Sequence, residues 1–121
     1  MTENIRPWGR YDVLSDASDC KVKRITVEPQ QRLSYQYHRK RSEHWVVVSG
    51  EALITLDGVS SIIPVNQHIF IPIGAKHRIE NTSETEDMVF VEVQCGTYFG
   101  EDDIVRLSDD YNRNVSTGEA K

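Results

Sequence analysis

The stretch QYHRKRSEHWVVVSG, Gln36 to Gly50, decides the fold together with its later counterpart PIGAKHRIEN, Pro72 to Asn81. At the two-residue period of a strand, Gln36 and His38 point to one face, so an amide and an imidazole can converge on one point. Trp45 to Val48 is an apolar run opened by Glu43. It reads as the returning strand of a hairpin turned at Arg39 to Ser42. Glu43 is thereby expected beside His38. His77 follows Pro72-x-Gly74, a turn chemistry that aims the next strand rigidly. Gln36, His38, Glu43 and His77 are therefore the expected ligands of a divalent metal ion. Two imidazoles, a carboxylate and an amide oxygen suit Zn first, with Mn, Fe, Ni or Co as alternatives, and leave positions open for water or substrate.

Joint spacing is more specific than any one of these residues, because a single strand histidine is usually just a surface or hydrogen-bonded group. Gln36-x-His38-x4-Glu43-x6-Gly50 and Asn66-x5-Pro72-x-Gly74-x2-His77-x3-Asn81 resemble the two cupin motifs, G-x5-H-x-H-x3-4-E-x6-G and G-x5-P-x-G-x2-H-x3-N. Three positions depart from the pattern: Gln36 stands for the first histidine, and Gln30 and Asn66 stand for the two opening glycines. Exchanging a histidine for Gln36 weakens nitrogen ligation and moves the expectation from oxygen-activating iron towards a Lewis-acid role.

The remaining strands follow from local pattern. Tyr11 to Leu14 and Cys20 to Val27 read as strands, the second stopped by Glu28-Pro29. Ala52 to Leu56 and Val59 to Val65 flank Asp57-Gly58, a two-residue hairpin signal. His68 to Ile71, His77 to Thr82 and Met88 to Gln94 complete the series. Short strands every eight to twelve residues with no helical period between them predict an all-β sandwich or barrel. Cupins belong to the jelly-roll members of that class. The expectation is one domain over 1–121, a double-stranded β-helix with a core over about 20–97, an N-terminal arm at 1–19 and a C-terminal segment at 98–121. Glu101 to Arg106 is expected as one helical turn or a covering strand, and Asn114 to Lys121 as a frayed tail.

With 121 residues the chain can bury its own core. A formal net charge of −5 argues against nucleic-acid or anionic-membrane partners, which call for basic surface. The N-terminal MTENIRPWGRY carries no apolar leader pattern, and no apolar run reaches membrane-spanning length, so a cytoplasmic chain is expected. Cys20 and Cys95 are far apart in sequence and are expected as unpaired, buried or half-buried small apolar residues.

Longer strings narrow the resemblance to a family. Arg6-Pro7-Trp8-Gly9, Val22-Lys23-Arg24-Ile25, Leu33-Ser34-Tyr35-Gln36, EHWVVVSG over Glu43 to Gly50 and GEDDIVR over Gly100 to Arg106 resemble the type II mannose-6-phosphate isomerase domain. That domain is usually the C-terminal part of a bifunctional mannose-1-phosphate guanylyltransferase/mannose-6-phosphate isomerase. No Gly-rich nucleotide-binding segment precedes the cupin motifs, so a stand-alone isomerase domain without guanylyltransferase activity is expected.

The resemblance implies interconversion of mannose 6-phosphate and fructose 6-phosphate. Such a reaction needs a base to move a proton between C1 and C2 and an electrophile at the sugar oxygens. Arg41 and then Arg106 are the expected phosphate holders, because a planar guanidinium fork suits phosphate. Glu92 shares a strand face with Phe90 and Gln94 and is the candidate base if that face lines the cavity; the alternative is a solvent-facing carboxylate. His44 lies on the face opposite Glu43 and is expected outside the ligand set. Lys23, on the face of Ile25 and Val27, could reach the cavity but is expected rather as a solvated strand-edge lysine. Tyr35 and Tyr37 lie opposite Gln36 and His38 and suggest a homodimer paired through this sheet. Two other function classes remain: a non-catalytic cupin binding a sugar or nucleotide-sugar, and an iron-dependent small-molecule dioxygenase.

Overall fold

The computed structural model describes residues 4–111 as two antiparallel sheets with no helix longer than a single turn among them. In chain order the strands are β1 (Ile5–Arg6), β2 (Gly9–Asp16), β3 (Cys20–Val27), β4 (Tyr35–Tyr37), β5 (Arg41–Ser49), β6 (Ala52–Leu56), β7 (Val59–Ile63), β8 (His68–Ile71), β9 (His77–Glu80), β10 (Met88–Gly96) and β11 (Val105–Ser108). One sheet runs β1-β2-β3-β10-β5-β8 and the other β11-β4-β9-β6-β7. This is the all-β double-stranded β-helix that the spacing and the resemblance imply. The expected tail at Asn114 to Lys121 lies outside the described residues.

Strand alternation explains the layers. Along β5, Arg41, Glu43, Trp45 and Val47 are buried while His44, Val46 and Val48 are exposed, the half-buried pattern of a sheet with one wet face. Ile54 of β6, Ile79 of β9 and Phe90 of β10 meet Trp45 and Val47 between the sheets, together with Val27, Ile71 and Met88. Trp45 is the hub, its ring 5.2 Å from Phe90 and 5.3 Å from His77.

Two sequence expectations change, and an open alternative is decided. Gln36 to Gly50 is not a hairpin: β4 pairs with β9 and β11, while β5 lies between β10 and β8. Both edges of β4 are already taken, so the chain crosses between the sheets at Arg39-Lys40. Residues before Cys20, expected as an arm, supply β1 and β2 to the larger sheet. Within Glu101 to Arg106, a turn leads into strand β11, which covers β4; there is no helical turn. The hairpin at Asp57-Gly58 forms as read, with φ of 47° and 84° giving the left-handed pair that a tight two-residue turn needs. Cys20 and Cys95 are free, half-buried and directly opposite one another across β3 and β10. No helix among the described residues is long and apolar enough to cross a membrane.

Gln30 and Asn66, the two residues that replace motif glycines, both keep a glycine-like backbone, with φ of 61° and 72°. Asn tolerates that conformation; Gln does so at greater cost. Gly50 has φ of 79°, and a Cβ there would lie 3.0 Å from the Asp87 carbonyl oxygen. Gly50→Ala should therefore destabilise by roughly 1–3 kcal/mol, whereas Gln30→Gly should stabilise by up to about 1 kcal/mol. Paired urea titrations check both, and an unshifted midpoint for Gly50→Ala would contradict the backbone account.

Candidate metal centre

Two sheets contribute to one interior cluster. Gln36 is the middle residue of β4 and pairs in register with His77, the first residue of β9, so both face inward from the smaller sheet. His38 follows β4 directly, and Glu43 projects inward from β5 across the interior. His38 Nε2 lies 3.4 Å from Glu43 Oε2, and His77 Nε2 lies 3.8 Å from Glu43 Oε1. Possible ligand atoms of His38, Glu43 and His77 all fall within 4.8 Å of one another, and all three side chains are buried.

The tautomers follow from the backbone. His38 Nδ1 lies 2.5 Å from the carbonyl oxygen of Asp103, and His77 Nδ1 lies 2.9 Å from that of Ala75. A carbonyl only accepts, so each Nδ1 carries the proton and each Nε2 lone pair faces Glu43. Burial, aided by the charge on Arg41, lowers the His38 pKa to about 4, and burial likewise lowers that of His77. Both rings are therefore neutral at pH 7. His77 Nε2 is buried with no hydrogen-bond partner. An unpartnered lone pair opposite a carboxylate, with the second imidazole alongside, is the donor set a divalent cation takes, so the residues fit such an ion.

Gln36 stands beside this trio with its amide turned. Its Oε1 accepts from the Ser34 hydroxyl at 2.5 Å, and its Nε2 lies 3.4 Å from His38 Nε2. Rotating the amide by a half-turn would present the oxygen instead, with the Ser34 hydroxyl then accepting.

A cavity of about 70 Å³ adjoins the cluster, lined by Gln36, His38, Arg41, Glu92 and Arg106 among others. Arg41 sits at the start of β5, 5% exposed, donating from Nε to Glu43 Oε2 at 2.8 Å, with Nη2 3.3 Å from His38 Nε2. Burial works against its charge, but Glu43 and Glu92 outweigh burial and raise its pKa. Glu92 faces inward. Its carboxylate accepts from Trp45 Nε1 at 3.2 Å and from Gln94 Nε2 at 2.8 Å, while Trp45 Nε1 also reaches Glu43 at 3.1 Å. Burial first, then the neighbouring Glu43, pushes Glu92 up to about 7, where a carboxyl can both take and return a proton.

His44 points outward and packs on Phe70 at 4.6 Å, away from the cluster. Lys23 corrects the expectation of a solvated lysine: it is 3% exposed, lines the cavity and pairs with Glu101. Arg6, Tyr11 and Glu101 also line the cavity without having been singled out for it. Their signal was present, since Arg6 and Glu101 sit in the family strings RPWG and GEDDIVR. Pairing of β2 with β3, which brings the N-terminal residues to the cavity, is long-range and leaves no local pattern.

Comparisons with known proteins identify the family and the fold. A profile of the family described as mannose-6-phosphate isomerase C-terminal matches residues 1–109. The chain is 46% identical over 112 residues to the mannose-1-phosphate guanylyltransferase of Salmonella montevideo, covering 93% of this chain and 24% of that protein. It is 47% identical over 113 residues to alginate biosynthesis protein AlgA of Pseudomonas aeruginosa, covering 93% of this chain and 23% of that one. The chain thus spans about a quarter of the length of the curated relatives it matches. Among solved structures, a conserved protein with a double-stranded β-helix domain from Klebsiella pneumoniae superposes with a TM-score of 0.70 at 23% identity, over 87% of this chain and 86% of that one; this is a likeness of fold. With the family match extending over residues 1–109, the chain belongs to the mannose-6-phosphate isomerase C-terminal family, built on the cupin fold.

Proposed function

We propose that this chain is a metal-dependent sugar-phosphate isomerase, interconverting mannose 6-phosphate and fructose 6-phosphate through an enediol. One observation carries the reading: His38, which belongs to the His38, Glu43 and His77 cluster, lines the same cavity as Arg41, Arg106 and Glu92, a buried carboxyl that burial raises to about 7. A divalent ion held by His38, Glu43 and His77, with Gln36 after rotation of its amide, would polarise the sugar carbonyl and hydroxyl. Zn is the first choice, with Mn, Fe, Ni or Co as alternatives.

Glu92 is the base. Held by Trp45 and Gln94, it takes the proton from C2 of the open-chain aldose and returns it to C1 of the enediolate, while the O2 hydroxyl proton passes to O1, giving the ketose. Reversal uses the same carboxyl in the opposite order. Arg41 and Arg106 hold the phosphate, and Arg41 also balances the charge of Glu43 and Glu92. The two free cysteines suit the reduced cytoplasm, where we place the reaction. The competing reading is a non-catalytic sugar- or nucleotide-sugar-binding cupin. Glu92 favours the isomerase, because a buried carboxyl raised to about 7 serves proton transfer at neutral pH.

His38→Ala or His77→Ala should lose bound metal while keeping the β fold, whereas His44→Ala, altered on the outer face, should keep it. Metal analysis by mass spectrometry alongside circular dichroism reads both, and a His77→Ala protein holding stoichiometric metal would remove that residue from the ligand set.

Glu92→Gln should lower kcat by roughly 10²–10⁴-fold with metal retained. Arg41→Ala should cut kcat/KM roughly tenfold or more, with Arg41→Lys recovering part of it. A coupled assay with mannose 6-phosphate measures these. Metal-loaded wild-type protein that turns over no sugar phosphate would give the case to the binding module.

Homodimerisation belongs to the same proposal. Tyr35 and Tyr37 are half-buried, Tyr37 beneath Arg39, and Val46, Val48 and Phe70 are exposed on the outer face of the larger sheet. Light scattering at micromolar concentration should give the mass of two chains; the mass of one chain would end this part of the reading.

A further inference from the structure

Lys23 is a buried ammonium whose counter-ion comes from outside the core. Its side chain is 4% exposed and sits over the Tyr11 ring at 4.2 Å, while Glu101, paired with it at 2.5 Å, is 49% exposed. Buried ion pairs contribute little net stability, because desolvating the charges offsets their attraction. An apolar side chain packed on the Tyr11 ring would fill the same space without that cost. The surroundings are also unusual for a chain of net charge −5: four of its 14 lysines and arginines, Arg6, Lys23, Arg41 and Arg106, line one small cavity. Glu101 and Glu92 are the carboxylates that face them there.

Glu101 sits in a tight turn closed by Asp103 N donating to the Gly100 carbonyl at 3.1 Å. Beyond it the chain is anchored, since the Asp103 carboxylate accepts from the amides of Arg39 and Lys40 at 3.0 Å each. A carboxylate at the tip of such a turn can swing out while the anchored end, which orients His38, stays in place. A cavity of about 70 Å³ has room for a handful of waters beside these charges.

We propose that Lys23 anchors an anion subsite for a phosphate group, and that Glu101 is an internal stand-in which holds the ammonium until phosphate displaces it. Lys23 acts as a point charge, with a guanidinium of the same wall supplying directional hydrogen bonds. The role of this subsite in catalysis rests on the isomerase reading. Its existence does not, because the phosphate group alone should bind.

Inorganic phosphate is accordingly the probe, titrated calorimetrically at constant ionic strength into wild-type protein, Glu101→Gln and Lys23→Met, with the phosphate-induced rise in Tm as a second readout. Glu101→Gln removes the competitor and should bind phosphate roughly tenfold more tightly, with a larger Tm rise than wild type. Lys23→Met should bind roughly tenfold or more weakly. Phosphate binding unchanged or weakened in Glu101→Gln overturns the stand-in, and wild-type affinity in Lys23→Met overturns the subsite. Should Lys23→Met not fold, Glu101→Gln at its half-exposed position still decides the matter. Wild-type protein with these phosphate responses but no turnover of sugar phosphate would support the subsite and overturn only the isomerase reading.

Discussion

Asp103 ties the site to the fold. Its carboxylate closes the crossing at Arg39-Lys40 by accepting from both amides, and its carbonyl accepts a hydrogen bond from His38 Nδ1–H. That crossing is where the chain leaves the smaller sheet and enters the larger one. It sets His38 on one wall and Glu43 on the facing wall of the same interior, close enough for one ion to touch both. Without a fixed crossing, an imidazole and a carboxylate five residues apart would have no reason to meet across a sandwich. The Ala75 carbonyl does the same for His77 on β9, so both rings are aimed by backbone rather than by mobile side chains.

Interior chemistry is divided between two ends of the sandwich. Val27, Val47, Ala52, Ile54 and Met88 form a dry end, while Lys23, His38, Arg41, Glu43, His77 and Glu92 are buried at the other. Ionisable groups are rarely buried together, because each loses its hydration and regains it only through partners. Here the partners are mutual: Arg41 with Glu43, Lys23 with Glu101, and Trp45 Nε1 shared between Glu43 and Glu92. Such an arrangement costs stability that an apolar core would keep, and it is found where a site needs groups whose proton affinity differs from that in water. Glu92 illustrates the point, since the same burial that raises it to about 7 makes it useful for proton transfer at neutral pH.

Trp45 links the two ends. Its ring packs on Phe90 and meets His77 edge-on, and its indole N–H spans the two carboxylates. A phenylalanine there would fill much of the space but leave both carboxylates without their shared donor. The run that reads simply as an apolar strand in sequence thus carries one residue that belongs equally to the core and to the site.

Sequence by itself determined the class of fold, the strands and the identity of the clustered residues. Strand periodicity is local, and the spacing from Gln36 to Gly50 and from Asn66 to Asn81 encodes which side chains face inward. The tight turn at Asp57-Gly58 was also legible by composition, whereas the positive φ of Gln30 and Asn66 was seen only in the structure, neither being glycine. Only the tertiary structure decided how strands pair. The supposed hairpin of β4 and β5 is a crossing between sheets, because hydrogen bonding partners for β4 come from β9 and β11, some forty and seventy residues downstream. The same is true of the cavity wall: β2 brings Tyr11 to it from the N-terminal side, and the turn before β11 brings Glu101 from the other end of the chain. Lys23 looked like a surface lysine for that reason. Its burial depends on residues distant in sequence, and no local pattern records an environment made by long-range pairing.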